Sequence, residues 1–289
     1  MNARISGDSG SAEPAAGEVH DHSAKVAGIV SGDSSDAQRL ARRGIVRLRA
    51  GNPGPFTLSG TNTWIAGRDP SWVVDPGPGL PDHVDELCSE IARRGGLGGI
   101  ALTHDHSDHC EAVALLRERH PAPFAAGRGE VDVRLTDGAL FGPFEAVFTP
   151  GHAPDHFALI AGDACFTGDA VLGEGSVFIA PDPGALSGYL DALARLRERD
   201  LGVLCPGHGP PVWAPRERLT EYIEHRLDRE RRLLEALAHG ARTVDELLDA
   251  AWSDVPAIMR PAAAVTLAAH LDKLAEDGLL PEGVERPSW

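Results

Sequence analysis

Six consecutive positions, His104-Asp105-His106-Ser107-Asp108-His109, carry three imidazoles and two carboxylates. Groups of these types offer lone pairs to a borderline-soft dication such as Zn²⁺ at about 2.0–2.2 Å, and a tight loop supplies several at once. The cluster closes the apolar run Gly99-Ile100-Ala101-Leu102, which reads as a short buried strand, and the Ala/Leu-rich stretch from Asp108 to Arg119 reads as a helix. The histidines therefore fall on a strand-to-helix loop, where side chains converge without breaking a sheet ladder.

Three later positions repeat the arrangement, each a polar group just past a strand: His152 in Thr149-Pro150-Gly151-His152, Asp169 in Phe166-Thr167-Gly168-Asp169, and His208 in Cys205-Pro206-Gly207-His208-Gly209-Pro210. They follow His106 at intervals of 46, 17 and 39 residues, each long enough for one or two elements of secondary structure. Strand ends on one edge of a sheet system share a cleft. A structural zinc needs four closed ligands, whereas seven groups with a shared carboxylate suit two ions and leave positions for water. His104, His106 and His152 are read as ligands of the first ion, Asp108, His109 and His208 as ligands of the second, and Asp169 as the bridge. Two ions about 3.5–4 Å apart can share one hydroxide and lower its pKa from about 15.7 towards about 7.

The elements that must position these groups are strands interleaved with helices. Ile45–Arg49, Thr61–Ala66 and Ser71–Asp75 read as strands, and Val84, Leu87, Cys88 and Ile91 recur at helical spacing before Gly95-Gly96. Further strands are expected at Phe144–Thr149, Phe157–Ala161, Ala164–Thr167 and Gly202–Cys205, with Asp137-Gly138 and Gly162-Asp163 as hairpin turns and a helix over Ala185–Arg199. This pattern predicts a layered α/β domain. Residues 1–40 are rich in Gly, Ser, Ala and Asp and are expected to be a disordered tail, His20-Asp21-His22 included.

The chain of 289 residues is 42 % hydrophobic and carries a formal net charge of −16, with lysine only at Lys25 and Lys273. Such a surface repels phosphate polyanions at long range and disfavours general nucleic-acid binding. Cys88, Cys110, Cys165 and Cys205 form no C-x-x-C pair and read as reduced thiols. No leader-like start and no apolar run near 18 residues is seen, so a cytoplasmic protein without a membrane span is expected.

In their order, HDHSDH at 104–109, PGH at 150–152, GD at 168–169 and PGHG at 206–209 resemble the motifs of the metallo-β-lactamase superfamily, and Asp75 matches the acid after its early strand. Thr61-Asn62-Thr63-Trp64, residues 149–156 and residues 166–173 are similar to the branch containing beta-lactamase-like protein 2, which resembles glyoxalase II more than true β-lactamases. The resemblance implies an αββα sandwich over residues 41–214 with a dinuclear metal site at one edge, and a winged-helix-like domain over 215–289. Cys110-Glu111 stands where many relatives carry small residues such as Gly, which bears on substrate rather than on metal binding. In the C-terminal part, helices are expected over 215–239 and 261–276, with an N-cap signal at Thr243-Val244-Asp245-Glu246 and a wing starting at Asp277-Gly278. Ten basic against fifteen acidic residues in 215–289 argue for pocket closure or dimerisation rather than nucleic-acid recognition.

Three activities suit such a centre. The favoured one is hydrolysis of an ester or thioester of a small acyl substrate by a hydroxide held between two Zn²⁺ ions or other divalent metals, with Asp108 and Asp169 as catalytic carboxylates. Asp155 and His156, beside His152, are read either as orienting that ligand or as a proton shuttle. The second activity is endoribonuclease cleavage of single-stranded RNA by the same two-metal site, and the third is mononuclear iron redox chemistry. Only 5 % of residues are aromatic, which favours small substrates.

Overall fold

A computed structural model describes residues 33–288 of the chain, and His20-Asp21-His22 lies outside them. A first helix, α1 (Asp33–Ala41), leads into strands β1 (Ile45–Arg49), β2 (Asn62–Gly67) and β3 (Ser71–Val74). Helix α2 (Pro81–Arg93), strand β4 (Leu97–Ala101), helices α3 (Ser107–Cys110) and α4 (Ala112–Arg119), and the short strands β5 (Phe124–Ala126) and β6 (Val133–Arg134) complete the first half. These six strands form one sheet in sequence order, antiparallel from β1 to β3 and parallel from β3 to β6.

The second sheet contains β7 (Leu140–Phe141), β8 (Phe144–Phe148), β9 (Phe157–Ala161), β10 (Ala164–Gly168) and β11 (Val203–Pro206), with α5 (Ala185–Arg197) between the last two. Side-chain alternation divides the core into layers. From β2, Trp64 and Ala66 enter the core between the sheets, while Ile65 packs with Leu87, Ile91 and Leu116 of α2 and α4. From β10, Phe166 faces inward and Cys165 faces Leu186, Tyr189 and Leu193 of α5. The result is helix, sheet, sheet, helix, as the αββα expectation requires.

Helices α6 (Pro215–Ala238), α7 (Val244–Ala251) and α8 (Arg260–Glu276) follow. Leu219 and Tyr222 of α6 pack on the sandwich, whereas Leu233 and Leu237 build a separate core with Leu247, Leu248, Leu267 and Leu271. One helix thus serves both halves of the molecule. Among the described residues no helix is long and apolar enough to cross a membrane.

Two local expectations need correction, and the wing segment is described with them. Residues 33–40 of the expected tail are helical, because Leu40 is buried, Asp36 accepts from the Trp213 indole at 2.7 Å, and the Arg39 guanidinium lies 3.5 Å from that ring's centroid. Asp137-Gly138 is not a hairpin turn but the crossing from β6 in one sheet to β7 in the other; the hairpin turn falls at Gly142-Pro143. After Asp277-Gly278 the described residues contain no strand; the segment is irregular and is tied back through Glu285, whose Oε2 accepts from Val244 N at 3.0 Å.

Candidate metal centre

Every candidate ligand leaves the carboxyl end of a strand on the same edge of the sandwich. β4 delivers His104 and His106, α3 carries Asp108 and His109, and β8, β10 and β11 are followed by His152, Asp169 and His208. The donor atoms fall into three overlapping sets, within each of which they lie within 4.8 Å of one another: His104 with His106 and His152, His104 with His109 and Asp169, and Asp108 with His109 and His208. All seven sequence-derived candidates are brought together.

His106 Nδ1 lies 3.0 Å from both His104 Nε2 and His152 Nε2. Two nitrogens on one tetrahedral zinc stand about 3.3 Å apart, given metal–nitrogen distances of about 2.0–2.1 Å. On the other side, His208 Nε2 is 3.4 Å from Asp108 Oδ2, and His109 Nε2 is 3.5 Å from the same atom. Asp169 faces both sides, with Oδ2 3.3 Å from His208 Nε2 and 3.5 Å from His152 Nε2, and Oδ1 3.6 Å from His109 Nε2.

The rings are oriented from behind. Thr103 donates its N–H and its hydroxyl to Asp75 at 2.8 and 2.7 Å, so its hydroxyl oxygen is left to accept from His104 Nδ1 at 3.0 Å. His109 Nδ1 donates to Asp75 Oδ2 at 2.9 Å, and His152 Nδ1 donates to the Phe178 carbonyl at 3.4 Å. Each bond turns the Nε2 lone pair of its ring towards the centre. Asp75 sits at φ 51°, a left-handed conformation that a non-glycine residue adopts at a cost of roughly 1–2 kcal/mol. The T-N-T-W stretch is explained in the same way. Thr61 donates to Asp108 Oδ2 at 2.8 Å, Asn62 Nδ2 to the Pro206 and Gly209 carbonyls around His208, and Trp64 Nε1 to the Pro206 carbonyl.

Two glycines let the strands approach this closely. A Cβ on Gly207 would stand 2.4 Å from Asp169 Oδ1, and one on Gly168 would stand 2.3 Å from Thr103 Oγ1. A side chain on Gly207 would displace Asp169 and His109, and one on Gly168 would displace Thr103 and His156 behind them.

The electrostatics suit a cation. Burial holds His104 and His156 well below the ordinary histidine pKa and lowers His152 to about 4, so these rings are neutral at pH 7 and His104 and His152 are able to ligate. Burial also disfavours charge on His109, but Asp169, Asp75 and Asp108 outweigh it and raise its pKa to about 9. Burial works against ionised Asp169, yet His109, His208 and His152 keep its pKa well below the usual carboxylate range. His109 Nε2 and Asp169 Oδ1 are buried, face one another and have no hydrogen-bond partner. Buried polar atoms without partners are costly, and a divalent cation among them removes that cost. The donor set therefore fits metal.

His156 is fully buried. Its Nε2 accepts from Asp169 N at 3.2 Å and its Nδ1 donates to Thr149 Oγ1 at 2.7 Å, so both ring nitrogens are used within the protein and it braces Asp169 from behind. Asp155 Oδ2 lies 3.9 Å from Arg128 Nε, and both of its carboxylate oxygens are buried without a hydrogen-bond partner. Cys110 donates to the Asp105 carbonyl at 3.3 Å and is absent from the three donor sets, as are the other cysteines.

The metallo-beta-lactamase superfamily matches residues 130–208, and the beta-lactamase associated winged helix domain matches residues 243–285. The chain is 30 % identical over 268 residues to a beta-lactamase-like protein 2 homolog of Caenorhabditis elegans, covering 85 % of this chain and 87 % of that protein. The chain belongs to the metallo-β-lactamase superfamily. It is a hydrolase of the branch with the associated winged helix. It is also 34 % identical over 243 residues to an atrochrysone carboxyl ACP thioesterase of Aspergillus chevalieri, covering 76 % of this chain and 77 % of that one. A beta-lactamase domain protein from Burkholderia ambifaria has the same superfamily fold, with a TM-score of 0.69 at 20 % identity over 83 % of this chain and 90 % of that one.

Sequence reasoning missed the threonines behind the superfamily ligands. Thr61, Thr103 and Thr149 all stand at strand ends beside motif residues, and that position was the available signal. It also missed Phe178, whose ring packs on His152 at a centroid distance of 4.7 Å. No local pattern marks that residue.

Proposed function

We propose that the chain is a dinuclear, zinc-dependent hydrolase of acyl thioesters or esters. The observation that carries this is Asp169, one buried carboxylate facing His152 on one side and His109 and His208 on the other. His104, His106 and His152 would hold one ion, Asp108, His109 and His208 the other, and Asp169 both. Such a pair supplies Lewis-acid polarisation of a carbonyl and a water acidic enough to react near neutral pH.

The protein's own groups supply the rest. Asp108 lines the cleft with its side chain 26 % exposed, and Thr61 fixes its Oδ2. Its carboxylate would take a proton from the attacking water and return it to the leaving thiol or alcohol. Asp75 and Thr103 fix ring orientation, and His156 acts as a positioning residue through Asp169 N. The likeness to a thioesterase supports acyl over phosphodiester cleavage. Of the three arginines in the cleft wall, Arg218 and Arg229 are paired with Glu221 and Asp254 and Arg226 donates to Ser176 and Val177, which gives RNA phosphate little to bind. Four free thiols support a cytoplasmic setting. Turnover of a thioester panel and of labelled single-stranded RNA by one zinc-loaded preparation tests the reading. Thioester cleavage is expected; RNA cleavage without it overturns the proposal.

A further inference from the structure

The metal centre opens into a cleft of about 850 Å³ that runs from Asp108 and His208 to Met259 and Ala262 on the C-terminal helices. Pockets that bury a whole drug-sized ligand span about 300–1,000 Å³, so this volume far exceeds what an acetyl or butanoyl group needs. Beyond the ligands its surface turns apolar. Phe178 lies against His152, and Val177, Trp252, Met259 and Ala262 continue the wall away from it. Phe56, 57 % exposed, meets the Phe178 ring edge-on at 6.2 Å and forms an apolar lip.

The wall is built rather than accidental. Residues 172–180 form one side, and four residues of α6 and α8 pin them. Tyr222 accepts from Leu172 N at 3.0 Å, Arg218 donates to the Gly175 carbonyl at 2.9 Å, Arg226 donates to Ser176 Oγ at 2.9 Å and to the Val177 carbonyl, and Thr266 Oγ1 accepts from Ile179 N at 3.2 Å. The cations of the cleft wall are spent on these bonds or on carboxylates: Arg218 on Glu221, and Arg229 on Asp254 at 2.6 and 2.8 Å. Burial and the neighbouring arginines lower His225 to about 4, so it is neutral at pH 7. Little is left there to hold an anionic tail, whereas an apolar body would be well covered.

We infer that the substrate carries a large apolar acyl group, longer than butanoyl, seated between residues 172–180 and α8 with its carbonyl at the metal centre. The inference rests on the hydrolase reading above. Residues at the far end, Met259 and Ala262, set the length limit.

The test has a kinetic and a binding arm. Across acyl thioesters of N-acetylcysteamine from butanoyl to decanoyl, kcat/KM is expected to rise about two- to fourfold per methylene, the effect of burying roughly 0.8 kcal/mol per CH₂. Ala262→Phe and, independently, Met259→Trp should each lower the decanoyl-to-butanoyl ratio at least tenfold. Calorimetry on the zinc-loaded native chain should show decanamide binding at least tenfold more tightly than butanamide. A flat thioester series with equal binding of the two amides overturns the inference and leaves the hydrolase reading standing. Length-dependent amide binding without cleavage of any thioester overturns the hydrolase reading and leaves the acyl cleft standing.

Discussion

At the sheet edge, three of the candidate ligand rings have their second nitrogen fixed by Thr103, Asp75 or the Phe178 carbonyl. At the other end of the same cleft, Val177, Met259 and Ala262 offer only shape, and the polar groups nearby are turned back to pin the chain. The difference follows from what each end must do. Ligation requires donor atoms placed to a few tenths of an ångström, which only directional bonds achieve. Selection of an apolar group requires matched volume, which packing supplies without direction.

The polar end should break hardest. Asp169→Ala removes the one carboxylate facing both ligand sets, and kcat/KM is expected to fall at least about 10³-fold with loss of bound metal; near-normal turnover with full metal content would refute its bridging role. Asp75→Asn leaves a partner for His109 but puts an N–H donor opposite Thr103, and metal affinity should drop about 10–100-fold in a chelator competition.

At the apolar end the losses are in stability. Arg226→Leu leaves the buried Val177 carbonyl and Ser176 hydroxyl without their donor and should cost about 1–3 kcal/mol in urea unfolding. Acid probes the same place. Burial and Arg226 hold His225 at about 4 in the folded chain, against about 6.5 when unfolded, and buried His270 is lowered too. Between those values the unfolded chain binds the extra proton, so stability is full above about pH 6.5 and falls as pH drops towards 4. His225→Gln should flatten that fall in midpoint measurements across the range. The smallest effect is local. Thr243 caps α7 by accepting from Glu246 N while the Glu246 carboxylate accepts from Thr243 N at 3.0 Å, and Thr243→Ala should cost about 1 kcal/mol.

The same contrast governs what could be read from the sequence. Ligation at a strand end leaves a compact signature: H-D-H-S-D-H after Leu102, and glycine before Asp169 and His208 because a side chain would strike the centre. The sandwich was legible because β2, β4 and β10 are apolar on both faces, and α7 because its cap is written in Thr243 and Glu246. The cleft was not. Phe178 sits in a Gly- and Pro-containing loop without periodicity, and Arg226 and Arg229 look like solvated charges on an Arg/Glu-rich helix although both are buried. The low aromatic content gave no sign that Phe56, Phe178, Tyr222 and Trp252 would all line one cleft. Helix α1 was missed because a Trp213 far along the chain orders it.

Metal analysis of the purified chain, repeated on Asp169→Ala, decides whether the site holds a pair of ions. Two equivalents of zinc per chain are expected in the native protein and at most one in the variant. A single tightly held iron in the native protein, unchanged by the substitution, would contradict this expectation.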